Sequence, residues 1–435
     1  MTTIISILII AIAIGIYVYI TGRRSRKTRG KIEKARKYGL HEPVSIHPYF
    51  DPGLCIGSGA CIKACPEKDV IGLVSGRDSL VNASHCVGHG ACAQACPVGA
   101  ITLVFGTETR GVDIPYVSPN FETNVKGVFI VGELGGMGLI KNATVQGREA
   151  MEYISCLLRG DERKVEGVYD VLVVGAGPAG ISASLAALKN NLKYITIEQE
   201  DIGGTVLSYP RNKIVMTSPV DLPMYGKVKL TETTKEALLE LWTSVIKKTG
   251  LKINTFEKMT AMTQENGFFK VTTTKGEYLT KTVVLAIGRR GTPRKLGVPG
   301  ENIPKVYYRL LEPEQHQNQD LLVVGGGDSA IEAAIALTDQ PNNRVILSYR
   351  GESFSRIKPK NSERLEAILA RKMPSLKVIF NSTVKEIGEK DVKLMIGTDL
   401  TTIPNDYVYV FAGGELPTEF LKNIGIQIEK KFGKA

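Results

Sequence analysis

The stretch Tyr169–Leu188, YDVLVVGAGPAGISASLAAL, decides the fold. An apolar run, Val171 to Val174, enters Gly175-Ala176-Gly177-Pro178-Ala179-Gly180, and a helical apolar pattern follows. The glycines permit a tight turn, close approach of a pyrophosphate, and close packing of helix on strand. The helix start then faces the anion. A glycine pattern alone is a weak signal. Here a second apolar run, KYITIE, ends in Glu198 at the spacing where a carboxylate accepts from ribose hydroxyls. Together they predict a βαβ dinucleotide-binding unit.

A second such unit starts at Asp320 with DLLVVGGGDSAIEAAIAL. Gly325, Gly327 and Ala330 fill the three small positions, and Asp328 and Ser329 count with them as nucleotide-binding residues. The following strand ends in Ser348-Tyr349-Arg350, with no acid at the ribose position. Arg350 and Arg356 can instead hold a 2′-phosphate, which favours NADPH over NADH. A solvated surface is the plain alternative for both arginines, and Glu352 beside them supports it.

Two dinucleotide folds in one chain resemble the thioredoxin-reductase-like flavoproteins, from roughly Thr107 to the C-terminus. The resemblance implies an α/β flavoprotein with FAD on the first fold and NADPH or NADH on the second. In EDIGGTVLSYPRNKIVMT, from Glu200, it implies that Gly203, Gly204 and Thr205 line the flavin. VVLAIGRRGTPRKLGVPG, from Val283 and containing Gly288, resembles the strand and glycine turn leading into the pyridine-nucleotide domain. That family ends with a stretch whose acid contacts the flavin's ribityl chain. Here the similar stretch lies upstream, in FETNVKGVFIVGELGGMGLIKNATVQGREAMEYI from Phe121. Gly132 and Glu133 hold the place of the usual Gly-Asp, and Gln146-Gly147 resemble the helix that follows. The flavin domain therefore reads as circularly permuted, a change tolerated where termini lie close at the surface. A mere linker over 107–160 is the alternative.

Upstream stand two related runs, CIGSGACIKACP from Cys55 and CVGHGACAQACP from Cys86. Each resembles the bacterial ferredoxin run C-x2-C-x2-C-x3-C-P with its second cysteine missing. The repeat predicts an α+β two-cluster ferredoxin-like module. In such modules the fourth cysteine of one run ligates the other cluster. The resemblance implies Cys55, Cys61 and Cys96 on one cluster with Ser58 at the open corner. It implies Cys86, Cys92 and Cys65 on the other with His89 at its corner. Imidazole can replace thiolate on iron, whereas serine oxygen is harder and less acidic. Each cluster is either 4Fe-4S with an unusual ligand or 3Fe-4S. A cluster-free relic and a zinc site are the alternatives. The seventh cysteine, Cys156, sits in MEYISCLL and reads as a buried packing residue, while His41, His47 and His316 read as isolated surface or loop residues.

The formal net charge is +11, yet Arg23 to Lys37 hold nine basic residues and one acid, Glu33, so one segment carries +8 of it. The rest is nearly balanced, which argues against nucleic-acid binding. Residues 1–22 carry no charged side chain and are nearly all apolar from Ile4 to Ile20. A bilayer needs roughly 20 such residues. A cleaved signal peptide carries its charge before the apolar run, not after it. The order here predicts a single-pass inner-membrane anchor, with Arg23 onward in the cytoplasm against anionic headgroups.

The expected organisation is an anchor (1–22), basic neck (23–44), ferredoxin-like domain (45–106), permuted FAD domain (107–301), NAD(P)H domain (302–404) and a return segment of the FAD domain (405–435). Hinges are expected near Gly291–Gly300 and Ile403–Asp406. The cysteine pair of thioredoxin reductases is missing from VYYRLLEPEQHQNQD. The YRGESFSRIKPKN region resembles bacillithiol-disulfide reductases, but Ala179 stands where those are thought to use a cysteine. Disulfide exchange needs a thiol nucleophile. The expected activity is therefore electron transfer without a catalytic side chain, from NAD(P)H through FAD and two clusters to an acceptor at the membrane, or the reverse. A membrane cytochrome or quinone-reactive partner is expected, and the resemblance implies a homodimer. A thiol or disulfide reductase, and a membrane-tethered redox sensor or scaffold, are the rival readings.

Overall fold

The computed structural model describes the chain apart from residues 1, 38–39, 44–45, 68, 108–110, 137, 162–164, 210–213, 217–218, 230–231, 290–292, 355–356, 358, 371–374, 415–416 and 434–435. It divides into two compact units. One is Met1–Val112 with Ser353–Lys358 and Lys430–Ala435, and the other is Asp113–Glu352 with Pro359–Glu429.

The first unit opens with one helix, Thr2–Lys37, of 36 residues. At roughly 1.5 Å per residue that is about 54 Å. Its apolar side chains from Ile4 to Ile20 are exposed, and Ile4–Arg36 is long and apolar enough to cross a bilayer by length and composition. The basic part continues the helix without a break and rests on the hairpin Ile71–Val74/Arg77–Leu80. Ser25 Oγ accepts from the Ser75 amide at 2.9 Å, Arg29 donates to Ser75 Oγ at 2.7 Å, and Lys31 pairs with Asp69. Strands His47–Phe50 and Ile101–Val104 pair antiparallel. Each cysteine run enters a short helix, Ala60–Ala64 or Ala91–Gln94, through a left-handed glycine, Gly59 (φ 66) or Gly90 (φ 74). Only glycine takes that turn without strain, which is why the repeat keeps it.

In the second unit a six-stranded sheet runs Met259–Glu265, Phe268–Thr273, Glu277–Leu285, Val168–Val174, Tyr194–Ile197, with Val128–Ile130 also paired to Glu277–Leu285. Val283 pairs in parallel with Val128 on one side and Leu172 on the other. The strand upstream of the first glycine loop is thus built into the same sheet, as permutation requires. The following helix, Ile140–Leu158, buries Ala143, Gly147, Ala150, Met151 and Ile154. That i, i+3, i+4 stripe packs on Pro178–Lys189.

A second, parallel sheet has the order Val306–Tyr307, Tyr407–Val410, Asp320–Val324, Arg344–Ser348, Leu376–Ile379. An antiparallel sheet of Ser382–Ile387, Asp391–Ile396 and Asp399–Pro404 shares its core. Here the expected boundaries move. Tyr407–Val410 pairs with Asp320–Val324, so the nucleotide domain runs past 404, and Asn405 and Asp406 join two strands inside it. The return to the flavin domain lies beyond Val410, where the Arg294 amide donates to Gly413 O at 2.9 Å and Pro293 bridges Gly414. The apolar run YVYV fits either sheet by pattern, and only its pairing decides.

Candidate functional site

The first glycine loop is held by contacts that leave no room for a side chain. Gly175 has φ +109, and a Cβ there would lie 2.5 Å from the Ala286 carbonyl of the neighbouring strand. A Cβ on Gly180 would lie 1.8 Å from the Gly175 carbonyl, so the helix sits directly on the turn. Gly177 caps that helix in an extended conformation, and Pro178 occupies its first turn. Proline there costs nothing, because its missing N–H has no intrahelical partner anyway. The amides of this first turn lack intrahelical partners and can receive an anion.

Three further segments converge on this loop. Glu198 is buried, and its carboxylate accepts from the Ala176 amide at 2.6 Å and the Glu200 amide at 3.0 Å. A carboxylate has about four acceptor sites, so capacity remains for ribose hydroxyls. The Gly203 amide donates to Ala176 O at 3.0 Å, and a Cβ on Gly204 would lie 3.0 Å from Gly177 Cα. Thr205 sits in the 3-10 turn that follows. From the permuted segment, Gly132 (φ +81) donates to Gln146 Oε1 at 2.8 Å, and a Cβ there would lie 3.0 Å from Ala179 Cβ. Glu133 follows at the end of its strand, in the turn Gly132–Gly135. The structure therefore brings Gly132, Gly175, Gly177, Ala179, Gly180, Glu198, Gly203 and Gly204 together. The helix start, the acceptor carboxylate and the bare glycine surface fit a dinucleotide such as FAD.

The second loop is similar but differently lined. Gly325 (φ +148) packs against the Phe411 carbonyl, 2.6 Å from where a Cβ would be, with Ala330 Cβ at 3.0 Å. A Cβ on Gly327 would meet nothing within 4 Å. Asn361, buried, donates to Asp328 Oδ1 at 2.7 Å and Glu332 Oε1 at 3.1 Å. Asp328, beside Ser329, is thereby tied to the helix Pro359–Ala370. The Tyr349 ring lies between Gly326 and Gly351, 2.3 and 2.7 Å from where their Cβ atoms would sit. Sequence reasoning missed this tyrosine, whose place against two glycines has no local signature. Arg350 is exposed, and Arg356 lies outside the described residues. Gly288 (φ +69) faces open space.

Arg309 and Glu200 join the two nucleotide-binding parts through a bidentate pair, both contacts 2.8 Å. Arg309 holds the Glu200 carboxyl below its ordinary range, and Glu200 raises the guanidinium in turn.

In the first unit, Cys65, Cys86, His89 and Cys92 line one small pocket, with Pro48, Pro66, Glu67 and Leu103 around them. These are the four positions expected on one cluster, drawn from both runs. Burial pushes the Cys86 thiol up to about 11, and it raises Cys65 and Cys92 as well. Burial lowers His89, against Glu67, which favours the neutral imidazole that can ligate. Cys61 is pushed up to about 12, by burial first and then by a hydrogen bond with Asp78. Metal binding releases such protons, so these thiols ionise only with the metal. Cys96 Sγ accepts from the Ala100 amide at 3.3 Å. Ser58 is exposed, and its hydroxyl accepts from the Ala60 amide at 3.4 Å. Among the described residues no three His, Cys, Asp or Glu converge closely enough to hold one shared ion. A cubane asks for something else, since each cysteine binds a separate iron. Soft thiolates in a buried apolar shell fit such a cluster.

Two expectations fail. Cys156 is exposed, one helical step beyond the buried Ser155. His47 and His316 are buried, and His316 bonds Gln319 Oε1 at 2.7 Å and the Tyr409 hydroxyl at 2.6 Å.

A family profile described as pyridine nucleotide-disulphide oxidoreductase matches residues 172–434, and one described as 4Fe-4S dicluster domain matches residues 47–97. The chain is 29% identical over 269 residues to the bacilliredoxin reductase Bdr of Bacillus subtilis, covering 60% of this chain and 82% of that one. It is 30% identical over 271 residues to a ferredoxin–NADP reductase of Ignicoccus hospitalis, covering 60% and 83%. Among solved structures it is similar to the bacillithiol disulfide reductase Bdr of Staphylococcus aureus, at 30% identity and a TM-score of 0.54, covering 60% and 81%.

Proposed function

The chain belongs to the pyridine nucleotide-disulphide oxidoreductase family and carries a 4Fe-4S dicluster domain, and from that premise we propose that it exchanges electrons between NADPH and an acceptor at a membrane, by way of FAD and two iron–sulfur clusters. As a flavin and iron–sulfur oxidoreductase it needs a two-electron to one-electron converter, which a bound flavin supplies. The residues do the rest. Gly175, Gly177 and the start of the Pro178 helix receive a pyrophosphate, Glu198 takes a ribose, and Gly132 with Glu133 flanks the flavin from the permuted side. Gly325, Gly327 and Ala330 accept NADPH.

One observation carries the reading. Cys65, Cys86, Cys92 and His89 line one pocket, while Ala179 stands in the first glycine loop and the stretch VYYRLLEPEQHQNQD before the second holds no cysteine. The exposed helix Ile4–Arg36 supports an anchor in the inner membrane, with the basic neck and both units on the cytoplasmic side. A membrane cytochrome or a quinone-reactive subunit fits as partner, since a lone helix cannot enclose a quinone.

The test is anaerobic stopped-flow absorbance of the full chain in detergent, reconstituted with FAD, iron and sulfide. NADPH should bleach the flavin band and then the broad iron–sulfur absorbance within seconds. Flavin bleaching without cluster bleaching refutes the route. The likeness to Bdr favours thiol or disulfide reduction as a second reading. Alkylating the exposed Cys156 should then abolish turnover, whereas electron transfer to the clusters is unaffected.

A further inference from the structure

The first cysteine run lacks its second cysteine, and Ser58 in that place faces solvent and a backbone amide. A different side chain stands over the run. The hairpin Ile71–Val74/Arg77–Leu80 packs directly on the loop: a Cβ on Gly57 would lie 1.8 Å from the Gly76 carbonyl, and one on Gly59 would lie 3.7 Å from Leu73 Cδ1. Asp78, opposite Leu73 in that hairpin, receives a hydrogen bond from Cys55 Sγ at 3.4 Å on Oδ2. The Cys61 thiol lies near the same carboxylate, which, after burial, helps to push it up. Its Oδ1 is buried and has no hydrogen-bond partner.

That arrangement is incomplete as it stands. A buried carboxylate oxygen without a donor is costly. The hydrogen bond that Asp78 receives from the Cys55 thiol, at 3.4 Å on Oδ2, leaves Oδ1 with no donor, and a metal ion at the run would fill that place. A carboxylate is an ordinary donor to iron. Resting on the reading that this domain holds clusters, we propose that Asp78 is the fourth ligand of the first cluster, beside Cys55 and Cys61, and replaces the absent cysteine from the hairpin rather than from the loop. Ser58 is left as a loop residue. The two clusters then differ in kind, one completed by a carboxylate and the other by the imidazole of His89.

The experiment is iron and sulfide analysis with EPR of the full chain, reconstituted anaerobically in detergent, for wild type, Asp78→Ala, Asp78→Cys and Ser58→Ala. Wild type should hold about eight irons per chain, with no three-iron signal when oxidised. Asp78→Ala should fall to about seven and gain the oxidised three-iron signal. Asp78→Cys should restore the count with an altered reduced spectrum, and Ser58→Ala should match wild type. An unchanged Asp78→Ala spectrum overturns the proposal, as does loss of iron on Ser58→Ala. A wild-type chain that already shows a three-iron signal from the first site overturns it while leaving the cluster reading intact. A wild-type chain with no sulfide sinks the cluster reading and this proposal with it. Where Asp78→Ala loses the second cluster too, and so has misfolded, Asp78→Cys decides: a full count with a shifted signal supports ligation, and an unshifted one refutes it.

Discussion

Gly147→Ala tests whether the upstream segment is a working part of the flavin domain. Gly147 lies on Ile140–Leu158 where that helix crosses the first glycine helix, and an added Cβ would fall 2.1 Å from the Ala179 carbonyl and 3.1 Å from the Ala183 amide nitrogen. These are backbone atoms, so no side chain can swing aside. Ordinary contact is about 3.4 Å or more, and the helices must part by roughly 1.3 Å. A gap of that size forfeits about half or more of each close contact. The interface at risk contains Ala143, Ala150, Met151, Ile154, Ala183 and Ala186. Overpacking of this kind costs about 1–3 kcal/mol, which at about 2–4 °C per kcal/mol lowers the melting temperature by roughly 2–12 °C. Gln146, the neighbour that holds the Gly132 amide at 2.8 Å, moves with the helix. The flavin side should therefore suffer too, by about tenfold in FAD affinity for each 1.4 kcal/mol that falls on binding. The assay is FAD retained per chain after gel filtration, with a parallel melt, and Gly160→Ala as the control because nothing lies within 4 Å of its Cβ. Wild-type melting and full FAD retention in Gly147→Ala would show that the two helices do not pack this way.

Gly327→Ala should leave the melting temperature within about 1 °C, since its Cβ meets nothing and its φ is −102, yet it should weaken NADPH binding about tenfold by blocking close approach of the pyrophosphate; isothermal titration checks both halves, and unchanged affinity refutes the loop's role. The Glu200–Arg309 pair should contribute in full above about pH 4.5 and progressively less below it, because Arg309 depresses the Glu200 carboxyl and the stabilisation is lost as pH falls through the folded value. Exposed pairs contribute at most about 1 kcal/mol, so Arg309→Ala should lower the neutral-pH melting temperature by no more than about 4 °C and have no effect in acid. His89→Cys should lower the potential of the second cluster, because an anionic thiolate replaces a neutral ligand; an EPR-monitored redox titration that finds no negative shift excludes His89 from the iron.

What could be read along the chain was whatever depends on spacing within one segment. Gly175, Gly177, Gly180 and Glu198 follow from a loop and the strand after it, and Gly132 with Gln146 from one strand–helix pair. The misses share a cause. Cys156 differs from the buried face of its helix by one residue, a rotation that a pattern of mixed size does not resolve. Tyr407–Val410 is an apolar run that either sheet could bury, so its sheet is chosen by its partner Asp320–Val324 and not by its composition. Tyr349 and Asp78 owe their positions to what lies opposite: two glycines in one case, two cysteines in the other. Asp78 shows the principle best. In the string RDSL it is one charged residue beside a turn, the commonest place for a solvated acid. Antiparallel register with Leu73 turns it over the Cys55 loop, and burial removes the water that would have satisfied Oδ1. The missing cysteine and the misplaced carboxylate are each unremarkable alone. A ligand set is a property of the surface where segments meet, so a gap in one segment has to be searched for in whatever packs against it.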